Sequence, residues 1–315
     1  MEVKEWSYEE FPEFTEEVEG AQMFSGSGDE IGVHYLPDVE YACVDGVTLH
    51  LQILQPFTRN NPEMVCPCVV FVQGSAWLKQ NVYVQLPDIA RLSERGYVVA
   101  IVEYRHSGIA TFPAQIMDAR NAVRFLRANA KMYHVDPENI IISGCSSGGH
   151  TAMFAGIFHD EDENSLFPGV SAEVKGIINY YGSTSVMAED SNPVQLRHCL
   201  PDSPEGMVMG GVNLLEHPEL MEKLSVECNI EKTTQIAPTM IIHGTKDRMV
   251  NINQSVALYR QLKQLGKDVR LCIVKGADHG GKEFWTKEVI DTVDEFIRHC
   301  LSKSVLKRWI RYEQK

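Results

Sequence analysis

A serine, a histidine and a carboxylate can carry out acyl transfer when a fold brings them together, and this chain holds one set in suitable local settings. The stretch IISGCSSGGH, ending at His150, places Cys145, Ser146 and Ser147 between glycines at the end of an apolar, β-branched run. In a sharp strand-to-helix turn, small residues two positions either side of the nucleophile let a strained backbone lift its side chain clear. Centring that frame on Ser146 puts Gly144 and Gly148 at the required offsets. Centring it on Ser147 puts Cys145 there, and centring it on Cys145 puts Ser143 there. Ser146 is the expected nucleophile, and Cys145 becomes a buried thiol behind the turn.

A serine hydroxyl is a weak nucleophile at neutral pH and needs an imidazole base, itself oriented by a carboxylate. In a strand-turn-helix setting these partners follow the serine in the order acid, then histidine, on loops after later strands. PTMIIHGTKDRMV supplies Asp247 just past one buried run, and VRLCIVKGADHGG supplies His279 just past the next. His243, at its own strand end, His150, inside the following helix, and Asp278, directly before His279, read as strand-end or capping residues. Charge developing on a carbonyl oxygen needs backbone N–H donors. The turn itself offers the amide of Ser147, and the loop in VFVQGSAW offers Ser75 or Ala76.

The elements that must position these residues follow from the hydrophobic pattern. YACVDGVTLHLQILQP alternates about Asp45-Gly46 and reads as a hairpin, and CPCVVFVQG as a fully buried strand. Helical and strand patterns then alternate. VYVQLPDIARLSERG, FPAQIMDARNAVRFLRANAKMY, GHTAMFAGIFHD and NQSVALYRQLKQLG read as helices, with a last helix from about Lys282. YVVAIVEYR, NIIISG, VKGIINYYG, APTMIIHG and VRLCIVKG read as strands. That alternation predicts an α/β architecture with a mainly parallel, doubly wound sheet and helices on both faces. Residues 160 to 173 read as a loop. Residues 183 to 235 are too long for an ordinary connection and are expected to be a cap inserted over the carboxyl edge of the sheet, where ligands bind. Residues 1 to 35 form an acidic N-terminal arm ahead of a domain spanning 36 to 315.

Composition narrows the function classes. The 315 residues carry 29 Lys and Arg against 43 Asp and Glu, a net charge of −14 that repels nucleic acid and anionic membranes. In the arm, Trp6, Tyr8, Phe11 and Phe14 alternate with acids, and they are expected to pack on the body. No apolar run approaches the roughly 18 residues of a membrane span, and the start lacks a signal-peptide pattern, so the expected location is cytoplasmic. The cysteines lack CxxC pairs and suit buried free thiols better than a metal or disulfide framework. The basic tail LSKSVLKRWIRYEQK is expected to dock on the body or on a second copy in a homo-oligomer. No cofactor is expected, since the sequence has no P-loop and GCSSGGH has the wrong spacing for a dinucleotide fingerprint.

VFVQGSAW, GYVVAIVEYRHS, NIIISGCSSGGH, IIHGTKDRMV and GADHGG together resemble the α/β-hydrolase superfamily and, within it, the bacterial feruloyl and acetyl-xylan esterase group, over roughly residues 40 to 300. Hormone-sensitive-lipase-like esterases and kynurenine formamidases would carry His-Gly-Gly where this chain has Gln73-Gly74-Ser75. The resemblance implies a serine esterase that removes acetyl or feruloyl groups from plant-cell-wall sugars, its partner being a small or oligosaccharide ester. The rivals are an amide hydrolase with the same triad and a catalytically silent binding protein of the same fold.

Overall fold

The computed structural model describes residues 4–157, 165–187, 197–230 and 235–301. Among the described residues, eight strands form one sheet. They are β1 (Gly32–Val44), β2 (Val47–Phe57), β3 (Cys66–Val72), β4 (Val98–Val102), β5 (Val135–Cys145), β6 (Gly176–Tyr180), β7 (Thr239–Gly244) and β8 (Val269–Val274), in the spatial order β1-β2-β4-β3-β5-β6-β7-β8. Only the β1–β2 hairpin and the β2–β4 pair are antiparallel. Every pairing from β4 through β3 to β8 is parallel.

Strands buried on both faces read as unbroken apolar runs, and their alternate side chains feed two separate cores. In β3, Cys68, Val70 and Val72 face one core, which also takes Ala119, Ala122 and Phe154 from two helices, α2 (Ala114–Ala128) and α3 (Ser147–Ile157). Val69 and Phe71 face the other, closed by Ile89 and Leu92 of α1 (Leu86–Ser93) and by Ile290, Val293 and Phe296 of the C-terminal helix Lys287–Cys300. Each such side chain contributes roughly 1.5–3 kcal/mol on burial. Helices on both faces hold the strand ends rigidly, and the loops at those ends inherit the rigidity.

The elements differ in detail from their sequence outlines. Helix α1 is shorter than its periodic stretch because Pro87 belongs in a first turn, where its missing N–H costs nothing. The last helix is interrupted: Lys282–Trp285 is a 3-10 turn, and Thr286, in extended backbone, restarts the helix at Lys287. β1 begins at Gly32, paired with Phe57, so the sheet takes in the end of the segment read as an arm. The described residues before it form no helix or strand, and their aromatics do not pack on the body as expected. Tyr8, Phe11 and Phe14 are about two thirds exposed and Trp6 about half. Trp6 meets the edge of Phe11 within the arm, and Tyr8 touches the body through the Arg59 guanidinium that covers its ring. Without a helical or strand period, side chains alternating with carboxylates cannot present one apolar face.

Among its described residues, the segment expected to form a cap holds three short α-helices, α4 (Pro204–Val208), α5 (Pro218–Leu224) and α6 (Val226–Ile230). α4 and α5 share a small core in which Trp77, from the loop after β3, joins Val208, Leu214 and Leu224, whereas Val226 and Ile230 of α6 join the main core. The helix Ile252–Gln264, α7, follows β7, and Lys287–Cys300 is α8. No helix among the described residues is long and apolar enough to cross a membrane. The basic tail beyond Leu301 and residues 158 to 164 lie outside the described residues.

Candidate active site

Ser146 sits on the single residue between β5 and α3, with φ at 54°, a left-handed conformation that costs a non-glycine residue energy and marks a constrained turn. The glycines on either side are required by space. A Cβ on Gly148 would stand 2.0 Å from the Val72 carbonyl oxygen, and one on Gly144 would stand 2.1 Å from that of Gly148. Both obstacles are backbone and cannot rotate away. Gly148→Ala is therefore expected to destabilise the fold by about 3 kcal/mol or more and to remove activity, measured by thermal melting and ester turnover of the soluble fraction.

The carboxyl ends of three parallel strands bring the remaining groups to this turn. His279, after β8, has Nε2 2.8 Å from Ser146 Oγ, and its Nδ1 lies 2.7 Å from Asp247 Oδ2. The Asp247 side chain is fully buried, with Oδ1 accepting the backbone N–H groups of Met249 at 2.9 Å and Val250 at 2.8 Å. Burial alone would raise its pKa. Hydrogen bonds from His243, His279 and Val250, with the charge of His279, outweigh burial and hold the carboxyl well below the usual carboxylate range. Asp247 is thus an anion at any working pH, and it fixes the His279 proton on Nδ1, leaving Nε2 free to accept one from Ser146. Tyr181 packs edge-on against the His279 ring at 4.8 Å.

Three residues read from the sequence as bland have definite tasks. His243 places Nε2 3.0 Å from the Val250 carbonyl and 3.2 Å from Asp247 Oδ2, while its Nδ1 meets Ser255 Oγ at 2.7 Å. It clamps the turn that carries Asp247. Asp278 accepts the backbone N–H of His279 and binds Arg248, which fixes the loop from outside. His150 is fully buried in α3 with Nε2 2.9 Å from the Leu224 carbonyl, tying the helix after the nucleophile to α5.

The loop after β3 presses directly on the turn. A Cβ on Gly74 would lie 2.4 Å from the Cys145 carbonyl oxygen. The Gly74 N–H reaches Cys145 Sγ at 3.2 Å, and that thiol donates to Gln85 Oε1. Cys145 is buried and its pKa raised by burial, so it tethers the loop as a thiol. The Ser75 N–H donates to Ser147 Oγ at 3.0 Å, and Tyr104 OH lies within reach of both serine hydroxyls. Ala76 and Trp77 follow with φ of 56° and 52°. Neither Ala76 N–H nor Ser147 N–H donates to another described residue. Gln73, where related families carry histidine, donates to the Asn81 carbonyl and braces the loop. Tyr104 carries no sequence signal beyond its position at a strand end, and the bracing role of Gln73 is not visible in the motif that contains it.

The family model described as BD-FAE matches residues 51–262, about two thirds of the chain. The chain belongs to the BD-FAE family, a group of α/β-hydrolase esterases. Among curated relatives, this BD-FAE member is 27% identical over 235 residues to Esterase LipC of Mycobacterium tuberculosis, covering 73% of this chain and 57% of the relative. It is also 27% identical over 253 residues to a probable isoprenylcysteine alpha-carbonyl methylesterase of Oryza sativa, covering 76% and 60%. It therefore spans less than two thirds of the length of these relatives. Among solved structures it superposes on a truncated carbohydrate esterase from gut microbiota with a TM-score of 0.73 at 23% identity, over 87% of this chain and 98% of the other. A second match, an esterase of Thermogutta terrifontis with propionate bound, gives 0.66 at 21% identity over 86% and 95%. These likenesses establish the α/β-hydrolase fold.

Proposed function

We propose that the protein hydrolyses carboxylic esters through an acyl-enzyme on Ser146. The observation that carries this reading is the unbroken hydrogen-bonded line from Ser146 Oγ through His279 to buried Asp247. His279 Nε2 takes the Ser146 proton as Oγ attacks the ester carbonyl, and Asp247 stabilises the imidazolium. The oxyanion lies against the N–H groups of Ser147 and Ala76. Of the two loop amides considered from sequence, Ser75's already has a partner. His279 returns the proton to the departing alcohol, then activates a water that cleaves the acyl-enzyme.

The substrate class is the finer half of the proposal: acetyl or feruloyl esters of plant-cell-wall oligosaccharides. Membership of the BD-FAE family supports it, as does the carbohydrate esterase among the structural neighbours. A fluorophosphonate probe is expected to label the wild type at Ser146 with one equivalent, and matched p-nitrophenyl acetate and p-nitroacetanilide are expected to show ester preference. Failure to label points to a silent binding protein, and preference for the anilide to an amide hydrolase.

A further inference from the structure

Beside the nucleophile turn lies a polar group that the acyl-transfer steps leave unused. β6 ends at Tyr180, whose carbonyl accepts the Ser146 N–H at 2.9 Å, and the chain continues through Gly182, packed on the first turn of α3 so tightly that a Cβ on Gly149 would come 2.9 Å from its Cα. The next residue, Ser183, donates its hydroxyl to Glu205 Oε1 at 2.9 Å, and His198 Nδ1 stands 3.1 Å from the same oxygen. Glu205 is 3% exposed, on α4. Its second oxygen, Oε2, is buried and has no hydrogen-bond partner among the described residues; nor have the nearby polar atoms His150 Nδ1 and Thr184 Oγ1.

The loop after β6 sets this group near the reacting centre, since Tyr181, two residues before Ser183, packs on the His279 ring at 4.8 Å. Burial lowers the pKa of His198, but contact with Glu205 and the charge of Asp247 outweigh it and raise it overall; the Glu205 charge also reaches His150. A carboxyl oxygen left without a partner in a buried site carries a cost that an incoming donor would remove. Ser183 holds one oxygen by a hydrogen bond, with His198 beside it, and leaves the other open.

We propose that Glu205 Oε2 accepts a hydrogen bond from a hydroxyl group of the bound ester, making Glu205 a specificity-determining residue; the inference rests on the esterase reading above. Two parts of such a substrate carry hydroxyls: the sugar alcohol and the phenol of a feruloyl group. Three substrates separate the cases: p-nitrophenyl acetate, with no hydroxyl on either part, acetylated xylobiose, with hydroxyls on the alcohol, and methyl ferulate, with one on the acyl group. In Glu205→Gln, which replaces the carboxylate by a neutral amide of equal size, kcat/KM for a hydroxyl-bearing substrate relative to p-nitrophenyl acetate is expected to fall about 10- to 100-fold, the range for a hydrogen bond to a charged group. Loss on acetylated xylobiose assigns the alcohol side, and loss on methyl ferulate the acyl side. Ratios unchanged for both overturn the proposal. The ratio is internal, so a general loss of folded protein does not mimic the effect. Should Glu205→Gln not fold, Ser183→Ala, which frees the carboxylate to turn, is read the same way. Turnover of p-nitrophenyl acetate by the wild type, and its loss in Ser146→Ala, tests the esterase reading separately.

Discussion

Ser146→Ala lowers kcat/KM for p-nitrophenyl acetate by roughly 10⁴- to 10⁶-fold, the range seen when a serine nucleophile that acts as a unit with its base is removed. The fold is expected to persist. Ser146 is a one-residue junction held from both sides, its N–H donating to the Tyr180 carbonyl and its carbonyl accepting the His150 N–H at 3.1 Å, and alanine keeps both bonds. The positive φ strains alanine and serine alike, so the thermal midpoint moves little. What goes is the Oγ that His279 Nε2 meets at 2.8 Å. Residual turnover reports whatever the Ser147 and Ala76 amides and substrate binding achieve with water as nucleophile. A variant retaining activity within about tenfold of wild type would remove Ser146 as nucleophile and leave the left-handed turn without a chemical task. The same assay on Cys145→Ala separates the thiol: Cys145 is buried and tethers Gly74, so its loss loosens the loop without touching the nucleophile.

The legible part of this site is the part written in local backbone demands. Gly144 and Gly148 stand where any side chain would strike main-chain atoms, and that steric rule, visible in the spacing of the glycines, selects Ser146 over its neighbours. Asp247 and His279 were readable because each follows an apolar run that can only be a buried strand, and parallel strands deliver their carboxyl ends to one edge. Long-range side-chain partnerships left no such trace. Nothing in the local sequence says that His243 clamps Asp247, or that Tyr104 joins the hydroxyls of Ser75 and Ser147. Glu205 illustrates the limit best. In sequence it is one acid among 43, in a segment with weak periodicity, and only the packing of α4 against the loop after β6 turns it into a buried carboxylate with an open oxygen. The arm failed in the opposite direction: aromatic residues suggested burial, but burial needs a repeating face, and the arm has none.

Asp247→Asn is the second change with a large expected effect, and the structure fixes its sign through proton placement. Asp247 Oδ1 accepts two backbone N–H groups, from Met249 and Val250, so an asparagine in this site must keep its carbonyl oxygen there. Its NH₂ group then takes the position of Oδ2 and points a donor at His279 Nδ1 across 2.7 Å. The imidazole answers by moving its proton to Nε2, where it can no longer accept the proton of Ser146. The expected loss in kcat is roughly 10³- to 10⁴-fold, as for other triad carboxylates exchanged for amides. His243, 3.2 Å from the same oxygen, also meets a donor where it had an acceptor, so some stability is lost as well. Linkage gives a second signature. The folded-state pKa of Asp247 lies below its unfolded value near 3.9, so its ionised form contributes stability that is complete above that pH and is lost as pH falls toward the folded value. Asparagine cannot titrate, so stability measured by urea unfolding from pH 5 downward declines less steeply in Asp247→Asn than in the wild type. A variant that keeps kcat while losing that acid-dependent stability would make Asp247 a structural anion alone, and the role of orienting His279 would pass to another group.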